Sequence, residues 1–347
     1  MNDTFLKACR GEKTDYTPIW IMRQAGRYLP QYLEVRARGK GTFLDLCKDP
    51  ARCAEVTLQP VDIFGMDAAI LFSDILIPME AMGLKLEFHE GRGPVFPDPI
   101  RNQKDVDALI IPDPEKSMPF VLQTIKLLRA ELKVPLIGFS GAPFTLATYL
   151  IEGGSSKVFL ETKKMMFRQP QLYHALLEKI SRCTSLYLQA QARAGAQTLQ
   201  IFDSWAGVLA PCDYARFALP YVRTIISDLR RTTDVPIIYF ANNGSTLIEH
   251  TITSGADVLG LDWRINIKDA IARVGGHAVQ GNLDPLALFL PEKELQNRVK
   301  KLLDDARGAK GHIFNLGHGV VPQTPPEQVR IVVDCVHEYS AGGVNEQ

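Results

Sequence analysis

Short runs of apolar, often β-branched residues recur along the chain, and each is followed by a polar or glycine-rich stretch and then a longer amphipathic segment. Continuous apolar runs of this length are typical of strands that are buried on both faces of a parallel sheet. We therefore predict eight such strands. They cover residues 18–23, 68–74, 135–141, 198–204, 235–242, 256–262, 277–283 and 312–318.

The segments between these runs have apolar residues at helical spacing, most clearly over 116–132, 171–194, 214–230 and 292–306. Gly195, Gly255 and Gly308 follow helical segments, as helix-terminating glycines do. A strand and a helix repeated eight times predict an α/β protein with a single (β/α)8 TIM barrel. A doubly wound open sheet is the alternative, because periodicity does not show closure. No Gly-x-Gly-x-x-Gly pattern follows a strand to support it.

Two stretches are longer than a minimal helix and its loops. We interpret residues 36–67 and 84–114 as insertions on one catalytic domain that spans residues 1–347. The second stretch is rich in glycine and proline, which favours an irregular segment containing a small hairpin or a lid.

Composition limits the possible partners. The chain has 347 residues, 46% of them hydrophobic, and its 39 basic residues balance 39 acidic ones. This balance argues against nucleic acid or an anionic membrane as the main partner. The six cysteines are scattered without a Cys-x-x-Cys pair, and neither a signal peptide nor an apolar run of about 20 residues is visible. We expect a cytoplasmic protein with reduced thiols.

Two arginines at the end of the first predicted strand lack a local counter-ion. No acidic residue occurs between Asp15 and Glu34, so Arg23 and Arg27 have no nearby carboxylate in the sequence. Together with the backbone N–H groups of residues 24–26, which we expect to be free, they suit a carboxylate or phosphate ligand. The alternative is that both arginines are solvated or pair with a distant carboxylate.

Other strands end near residues that can bind a ligand or react. Asp74 ends the second strand, Tyr149 lies shortly after the third, Ser204 ends the fourth and His318 ends the last. In a barrel all of these positions meet at one face. Each also has a structural interpretation: Asp74 and Ser204 are good helix caps, Tyr149 could be a core tyrosine, and His318 could be an ordinary loop histidine.

A metal site is not predicted. The chain has no His-x-Cys, His-x-His or His-Glu-x-x-His pattern, and carboxylates at strand ends such as Asp203, Asp262 and Asp284 are not specific for a cation. A serine-histidine-aspartate triad is not supported either, because Ser140 is not in a Gly-x-Ser-x-Gly turn.

Two long motifs carry a resemblance to a known family. Residues 18–27 (PIWIMRQAGR) and 138–154 (GFSGAPFTLATYLIEGG) resemble the two signature motifs of the uroporphyrinogen decarboxylase family, and residues 72–75, 201–205 and 315–319 extend the similarity. The resemblance implies a homodimeric barrel without a cofactor or metal. It further implies a carboxy-lyase that converts the four acetate side chains of uroporphyrinogen III to methyl groups, giving coproporphyrinogen III for haem and chlorophyll.

The resemblance also implies the residues of the site. Asp74, Arg23 and Arg27 would be catalytic, with Asp74 stabilising the cation that forms on the protonated pyrrole; the proton donor stays open. Phe72, Phe139 and Phe202 would line the cleft. The implied substrate-binding residues are Arg23, Gln24, Ala25, Gly26, Arg27, Arg36, Asp74, Tyr149, Ser204 and His318.

Two other functions compete with this interpretation. A zinc-dependent cobamide or thiol methyltransferase resembles the same barrel family, although it would use a His-x-Cys pair that this chain lacks. A non-catalytic porphyrin carrier would use the same arginines and apolar cleft.

Overall fold

The structure is a computed structural model that describes residues 1–39, 41–89, 91 and 93–342. Residues 40, 90 and 92 fall within the two predicted insertions and, like 343–347, lie outside the described residues. Nine strands occur in the described part: β1 Ala69–Ile70, β2 Glu87–His89, β3 Gly93–Val95, β4 Leu136–Gly141, β5 Thr198–Asp203, β6 Ile237–Ala241, β7 Val258–Gly260, β8 Ala278–Gln280 and β9 His312–Ile313.

Seven of these strands form one parallel sheet in the order β1-β4-β5-β6-β7-β8-β9. Strands β2 and β3 form a separate antiparallel hairpin. All seven sheet strands follow one another in chain order with helices between them, as a (β/α)8 barrel requires.

The eighth position is filled by the segment around Ile19, which closes the sheet between its two edges. Phe314 donates its N–H to the Pro18 carbonyl at 2.8 Å, and Asp67 donates its N–H to the Ile19 carbonyl at 2.9 Å. Ile19 makes a parallel bridge with Phe314. The predicted (β/α)8 barrel in a single domain is confirmed, and the doubly wound alternative is wrong.

The predicted first strand, residues 18–23, is not a regular strand, and the reason is visible in its hydrogen bonds. Side chains accept three of its backbone N–H groups: Ile19 donates to Asp67 at 2.9 Å, Ile21 to Gln24 at 3.0 Å and Met22 to Asn315 at 3.0 Å. Because side chains occupy these donors, the segment closes the barrel with a single bridge instead of a ladder.

The helices surround the sheet. Two predicted helices are each divided in two, because Pro119 and Pro220 lack the N–H that would continue the preceding helix. The helices are α1 Thr4–Arg10, α2 Pro30–Arg38, α3 Phe43–Cys47, α4 Pro50–Phe64, α5 Ile77–Ala81, α6 Gln103–Ala108, α7 Pro114–Ser117, α8 Pro119–Glu131, α9 Pro143–Glu152, α10 Leu160–Arg168, α11 Pro170–Ala194, α12 Pro211–Phe217, α13 Leu219–Arg230, α14 Ile248–Thr251, α15 Ile267–Arg273, α16 Glu292–Asp305 and α17 Pro326–Gly342.

The interior of the barrel is filled by packed side chains. Trp20, Ile137, Ile238, Phe240 and Ile313 are at most 1% exposed and pack in one cluster. Filled interiors of this kind confine binding to the carboxyl ends of the strands.

The hairpin β2–β3 packs next to the helix that leaves the third barrel strand. Val95 bridges Gly154 in an antiparallel sense, and Phe96 donates its N–H to the Gly153 carbonyl at 3.0 Å. The hairpin predicted for the second long stretch is therefore present, and it adjoins the end of α9.

Candidate active site

The predicted site residues that follow strands lie at the carboxyl ends of the barrel strands. Asp74 follows β1, Tyr149 lies on α9 after β4, Ser204 directly follows β5 and His318 follows β9. The parallel sheet brings these positions to one face of the molecule, which we call the mouth.

Asp74 has a half-buried carboxylate at the mouth. Burial raises its pKa to about 6, while the N–H of Leu76 and the charge of Arg23 oppose that rise. Its Oδ1 accepts the Leu76 N–H at 2.8 Å, and α5 begins after Leu76 without a side-chain cap. Asp74 is not the residue directly before α5, but its Oδ1 caps the turn that leads into that helix, so the capping interpretation holds in part. Its Oδ2 accepts no hydrogen bond from the described residues and is available to a donor on a ligand.

Arg23 and Arg27 are exposed at the mouth. Neither forms an ion pair with a carboxylate among residues 1–39, 41–89, 91 and 93–342. Arg23 has a left-handed backbone with a φ of 63°, and its side chain lies against Gly319 after the last strand. The charge of Arg23 acts on Asp74 and on His318, so Arg23 lies close to both.

The segment between the arginines is only partly free to bind a ligand. The Gln24 N–H donates to the Ile21 carbonyl at 2.9 Å, so the prediction of a free N–H is wrong there. The buried Gln24 side chain accepts the Ile21 N–H and donates to the Ala68 carbonyl at 3.1 Å, which fixes the segment to β1. The N–H groups of Ala25 and Gly26 have no acceptor within the described part of the chain.

Arg36 carries an unsatisfied nitrogen. Its guanidinium lies 5.8 Å from the centre of the Phe43 ring, and its buried Nη1 has no hydrogen-bond partner among the described residues. The Phe43 ring lies 6.1 Å from that of Phe72, a partly exposed residue predicted to line the cleft. A buried charged donor without a partner is costly, and a ligand carboxylate would remove that cost.

His318 is held as a neutral imidazole. Burial and the positive charges of Arg23 and Arg264 together lower its pKa to about 4, while Asp262 opposes this shift. The ring lies 6.3 Å from the Phe240 ring. At neutral pH the imidazole can therefore donate one hydrogen bond and accept another.

Tyr149 and Ser204 both lie next to Trp205, Tyr149 in space and Ser204 in the sequence. The Tyr149 ring lies 6.2 Å from that of Trp205, and burial raises the pKa of the Tyr149 hydroxyl. Tyr149 is partly exposed and is thus not a fully enclosed core tyrosine. The short 3₁₀ helix Ala206–Val208 begins without a side-chain cap, so the capping interpretation of Ser204 is wrong.

Aromatic rings line the wall below these polar groups. Phe139 and Phe202 pack edge to face at 5.7 Å, and Phe202 continues to Phe240 at 6.2 Å. Phe139 is buried, whereas Phe202 is partly exposed. The mouth therefore combines an apolar wall with cationic groups around it.

Asp203 stands behind this wall and supports it. Its buried carboxylate accepts the Thr145 hydroxyl at 2.7 Å and the Tyr239 hydroxyl at 2.8 Å, and burial raises its pKa to about 6. The Thr145 hydroxyl in turn accepts the Trp205 N–H at 3.1 Å. Asp203 thus joins the start of α9, which carries Tyr149, to the loop that carries Ser204.

No group of three or more His, Cys, Asp or Glu side chains in the described residues has the arrangement of a metal site. Asp262 accepts hydrogen bonds from two backbone N–H groups, and Asp284 accepts one from the N–H of Leu286.

No helix in the described part of the chain is long and apolar enough to cross a membrane.

Sequence reasoning missed two residues of the mouth, Trp205 and Arg264. Arg264 stacks on Trp263, with its guanidinium 3.9 Å from the ring centre. Trp205 lies two positions after Asp203, and Arg264 lies two positions after Asp262. A search that included the two residues after each aspartate near a strand end would have identified both.

The fold and the mouth together define a single-domain barrel whose apolar cleft adjoins Arg23, Arg27 and Arg36, three arginines without an ion pair in the described residues, a class suited to an amphiphilic polyanion. Residues 1–339 match the model of the uroporphyrinogen decarboxylase (URO-D) family, and the chain belongs to that family.

Relatives and solved structures agree with this placement. Uroporphyrinogen decarboxylase of Desulfotalea psychrophila is 72% identical over 340 residues, which are 98% of this chain and 99% of the relative. That of Geobacter metallireducens is 54% identical with the same coverage. A methyltransferase from Methanosarcina mazei shares the fold with a TM-score of 0.80 at 20% identity, over 97% of this chain and 98% of the other.

Proposed function

We propose that this chain is a carboxy-lyase of porphyrin biosynthesis. It decarboxylates the four acetate side chains of uroporphyrinogen III one after another to methyl groups, giving coproporphyrinogen III. The observation that carries the proposal is Asp74, a half-buried carboxylate near Arg23; within the described chain, one oxygen of Asp74 accepts no hydrogen bond and Arg23 forms no ion pair. An anion in that position suits a substrate that is anionic at its edge and offers N–H donors at its centre.

The edge of the substrate is held by cations and N–H donors. Arg23, Arg27 and Arg36 bind its side-chain carboxylates, and the free N–H groups of Ala25 and Gly26 add donors between the first two. Because these arginines lack protein partners in the described residues, the substrate displaces only water from them. Tyr149, Ser204 and neutral His318 bind further side-chain oxygens.

The centre of the substrate is held by Asp74, which accepts hydrogen bonds from pyrrole N–H groups. Protonation of a pyrrole carbon gives a ring cation, and the bond to the acetate carboxylate then breaks. Its electron pair enters the ring as CO₂ leaves. The resulting exocyclic methylene takes up a proton to become the methyl group, and the ring carbon returns its proton. Each complete decarboxylation of one acetate side chain consumes one proton.

Asp74 accelerates the step by stabilising the cation. The aromatic side chains of Phe72, Phe139 and Phe202 keep water from the macrocycle. The charge on Asp74 is therefore weakly screened where the positive charge develops. The protonated pyrrole accepts the electron pair, a role that a cofactor has in other decarboxylases. We therefore assign no cofactor and no metal to the reaction.

The assembly and the location are further proposals. We propose a homodimer, supported by the exposed side chains of Val158, Leu160 and Phe167 near α10, which are apolar and at least 53% exposed.

We propose that the protein is located in the cytoplasm, supported by six cysteines that all lie in the described part as free thiols. We also propose that residues 36–67 and 84–114 are insertions on the catalytic domain.

One assay tests the function. Purified protein is incubated anaerobically with uroporphyrinogen III, and the products are separated by their number of carboxylates. Coproporphyrinogen III and CO₂ are expected. Binding without CO₂ release would identify a carrier instead. Stoichiometric zinc together with activity that a chelator abolishes would point to a methyltransferase.

A further inference from the structure

Arg264 lies in the loop after β7 and holds an orientated guanidinium at the mouth. Its guanidinium stacks on the Trp263 ring at 3.9 Å, and its side chain is 43% exposed. Stacking leaves the edge of a guanidinium free, and that edge carries the N–H groups that match a carboxylate.

The neighbouring Asp262 leaves most of the N–H groups of the Arg264 guanidinium without a partner in the described residues. Its buried carboxylate accepts the Gly244 N–H at 3.0 Å and the Arg264 N–H at 2.8 Å. The guanidinium contacts it only through Nη1, at 3.5 Å. Nε and Nη2 of Arg264 make no hydrogen bond within the described residues, so they remain open to a ligand.

Arg264 and Arg23 both lie close to His318. Gly317 fits directly against the Trp263 backbone, because a Cβ there would lie 2.4 Å from the Trp263 nitrogen. The Arg23 side chain covers Gly319, the residue that follows His318. Both arginines lower the pKa of His318, as expected of two cations close to one imidazole.

We propose that Arg264 binds a side-chain carboxylate of the substrate next to His318, as a cation additional to Arg23. The inference rests on the proposed function. Arg23, Arg27 and Arg36 all come from the first segment of the chain, so they hold the macrocycle from one side of the mouth. Arg264 follows the sixth barrel position and supplies a cation from another side, where His318 can share the same carboxylate.

The test compares Arg264→Gln and Arg264→Lys with the parent enzyme on uroporphyrinogen III. Loss of a charge-assisted hydrogen bond should raise KM about tenfold for the glutamine variant and leave kcat within about twofold. The lysine variant keeps the charge and should stay within about threefold of the parent KM. Arg216→Gln is the control, because Arg216 is also an exposed arginine that stacks on an aromatic ring, Phe217 at 4.8 Å, but it lies on helix α12.

The thermal midpoint separates binding from a structural role. It should be unchanged in all three variants, because Arg264 makes only a long, half-exposed ion pair. An unchanged KM in Arg264→Gln would overturn the proposal, as would a lysine variant as impaired as the glutamine one. An inactive parent would instead refute the proposed function, so the two failures are distinguishable.

Discussion

The side chain of Arg23 lies across the Cα of Gly319, and no larger residue at position 319 leaves it there. A Cβ on Gly319 would lie 2.4 Å from Cδ, 2.7 Å from Cγ and 3.0 Å from Nε of Arg23. This contact joins the first segment of the barrel to the loop after its last strand. It also places the Arg23 charge where it acts on both Asp74 and His318.

Gly319→Ala should therefore impair the enzyme through Arg23. The methyl group forces the arginine out of its position, and misplacement of a charged binding group by about 1 Å can cost about 100-fold in rate. We expect kcat/KM for uroporphyrinogen III to fall 10-fold to 100-fold. Steady-state kinetics measure this effect, and the thermal midpoint should change little.

Gly308→Ala is the matched control, because a Cβ there has no heavy atom within 4 Å. It should have the kinetics of the parent. A Gly319→Ala enzyme with parent kinetics would show that Arg23 tolerates displacement or has no part in turnover.

Asp74→Asn should abolish turnover and still fold. The amide oxygen can accept the Leu76 N–H, but it provides no negative charge for the cation on the substrate. A loss of at least about 100-fold in kcat is expected, in line with removal of one transition-state-stabilising group. Product analysis by carboxylate number measures it. Near-normal turnover by a folded variant would show that Asp74 is not central.

The same substitution should stabilise the protein at pH 8. The folded-state pKa of Asp74, about 6, exceeds its ordinary value, so folding favours the protonated form. The contribution of Asp74 to the free energy of unfolding therefore declines as pH rises from about 4 to about 6. The asparagine variant avoids the cost of the buried charge. Because the side chain is partly exposed, water screens part of that cost, and we expect about 1 kcal/mol. Urea unfolding at pH 8 and pH 4 should show a gain that disappears at the lower pH.

Activity should decline as pH falls through about 6. Asp74 takes up a proton in that range and loses the charge that stabilises the cation, so kcat/KM should decline about tenfold per pH unit below it. His318 has a pKa of about 4 and stays neutral over this range. His318→Gln should therefore keep the same acidic limb, and a limb that disappears in this variant would assign the titration to His318 instead.

The sequence predicts the barrel and most of the mouth because the repeated strand and helix leave a strong periodic signal. Closure brings the residues that follow each strand together, which is why Asp74, Tyr149, Ser204 and His318 could be placed at one face of the barrel before their contacts were known. The lack of a local counter-ion for Arg23 was visible as well, because it is a property of the sequence, but pairing with a distant carboxylate stayed open until the contacts were known.

Details that depend on distant contacts could not be predicted. The N–H of Gln24 is occupied by a turn, and the first segment is irregular because Asp67 and Asn315, far away in the chain, accept its donors. The exposed edge of Arg264 depends on its stacking against Trp263. No periodicity encodes any of these contacts.

The buried network behind the mouth gives the last prediction. Tyr239 donates to Asp203 at 2.8 Å, and the Tyr214 hydroxyl lies 2.7 Å from that of Tyr239. Tyr239→Phe leaves one oxygen of a buried carboxylate without a donor from the described residues, which should cost about 2 kcal/mol of unfolding free energy at pH 8. Tyr214→Phe does not touch Asp203 and should cost less.

The pH dependence of this cost identifies the carboxylate as its origin. Asp203 has a pKa of about 6 in the folded protein, so it is charged at pH 8 and mostly protonated at pH 5. The Tyr239 hydroxyl stabilises the charged form most, and the destabilisation by Tyr239→Phe should therefore be smaller at pH 5 than at pH 8. Urea unfolding of the parent and both variants at the two pH values measures this difference. An equal cost at both pH values would mean that the phenylalanine acts through packing and not through Asp203.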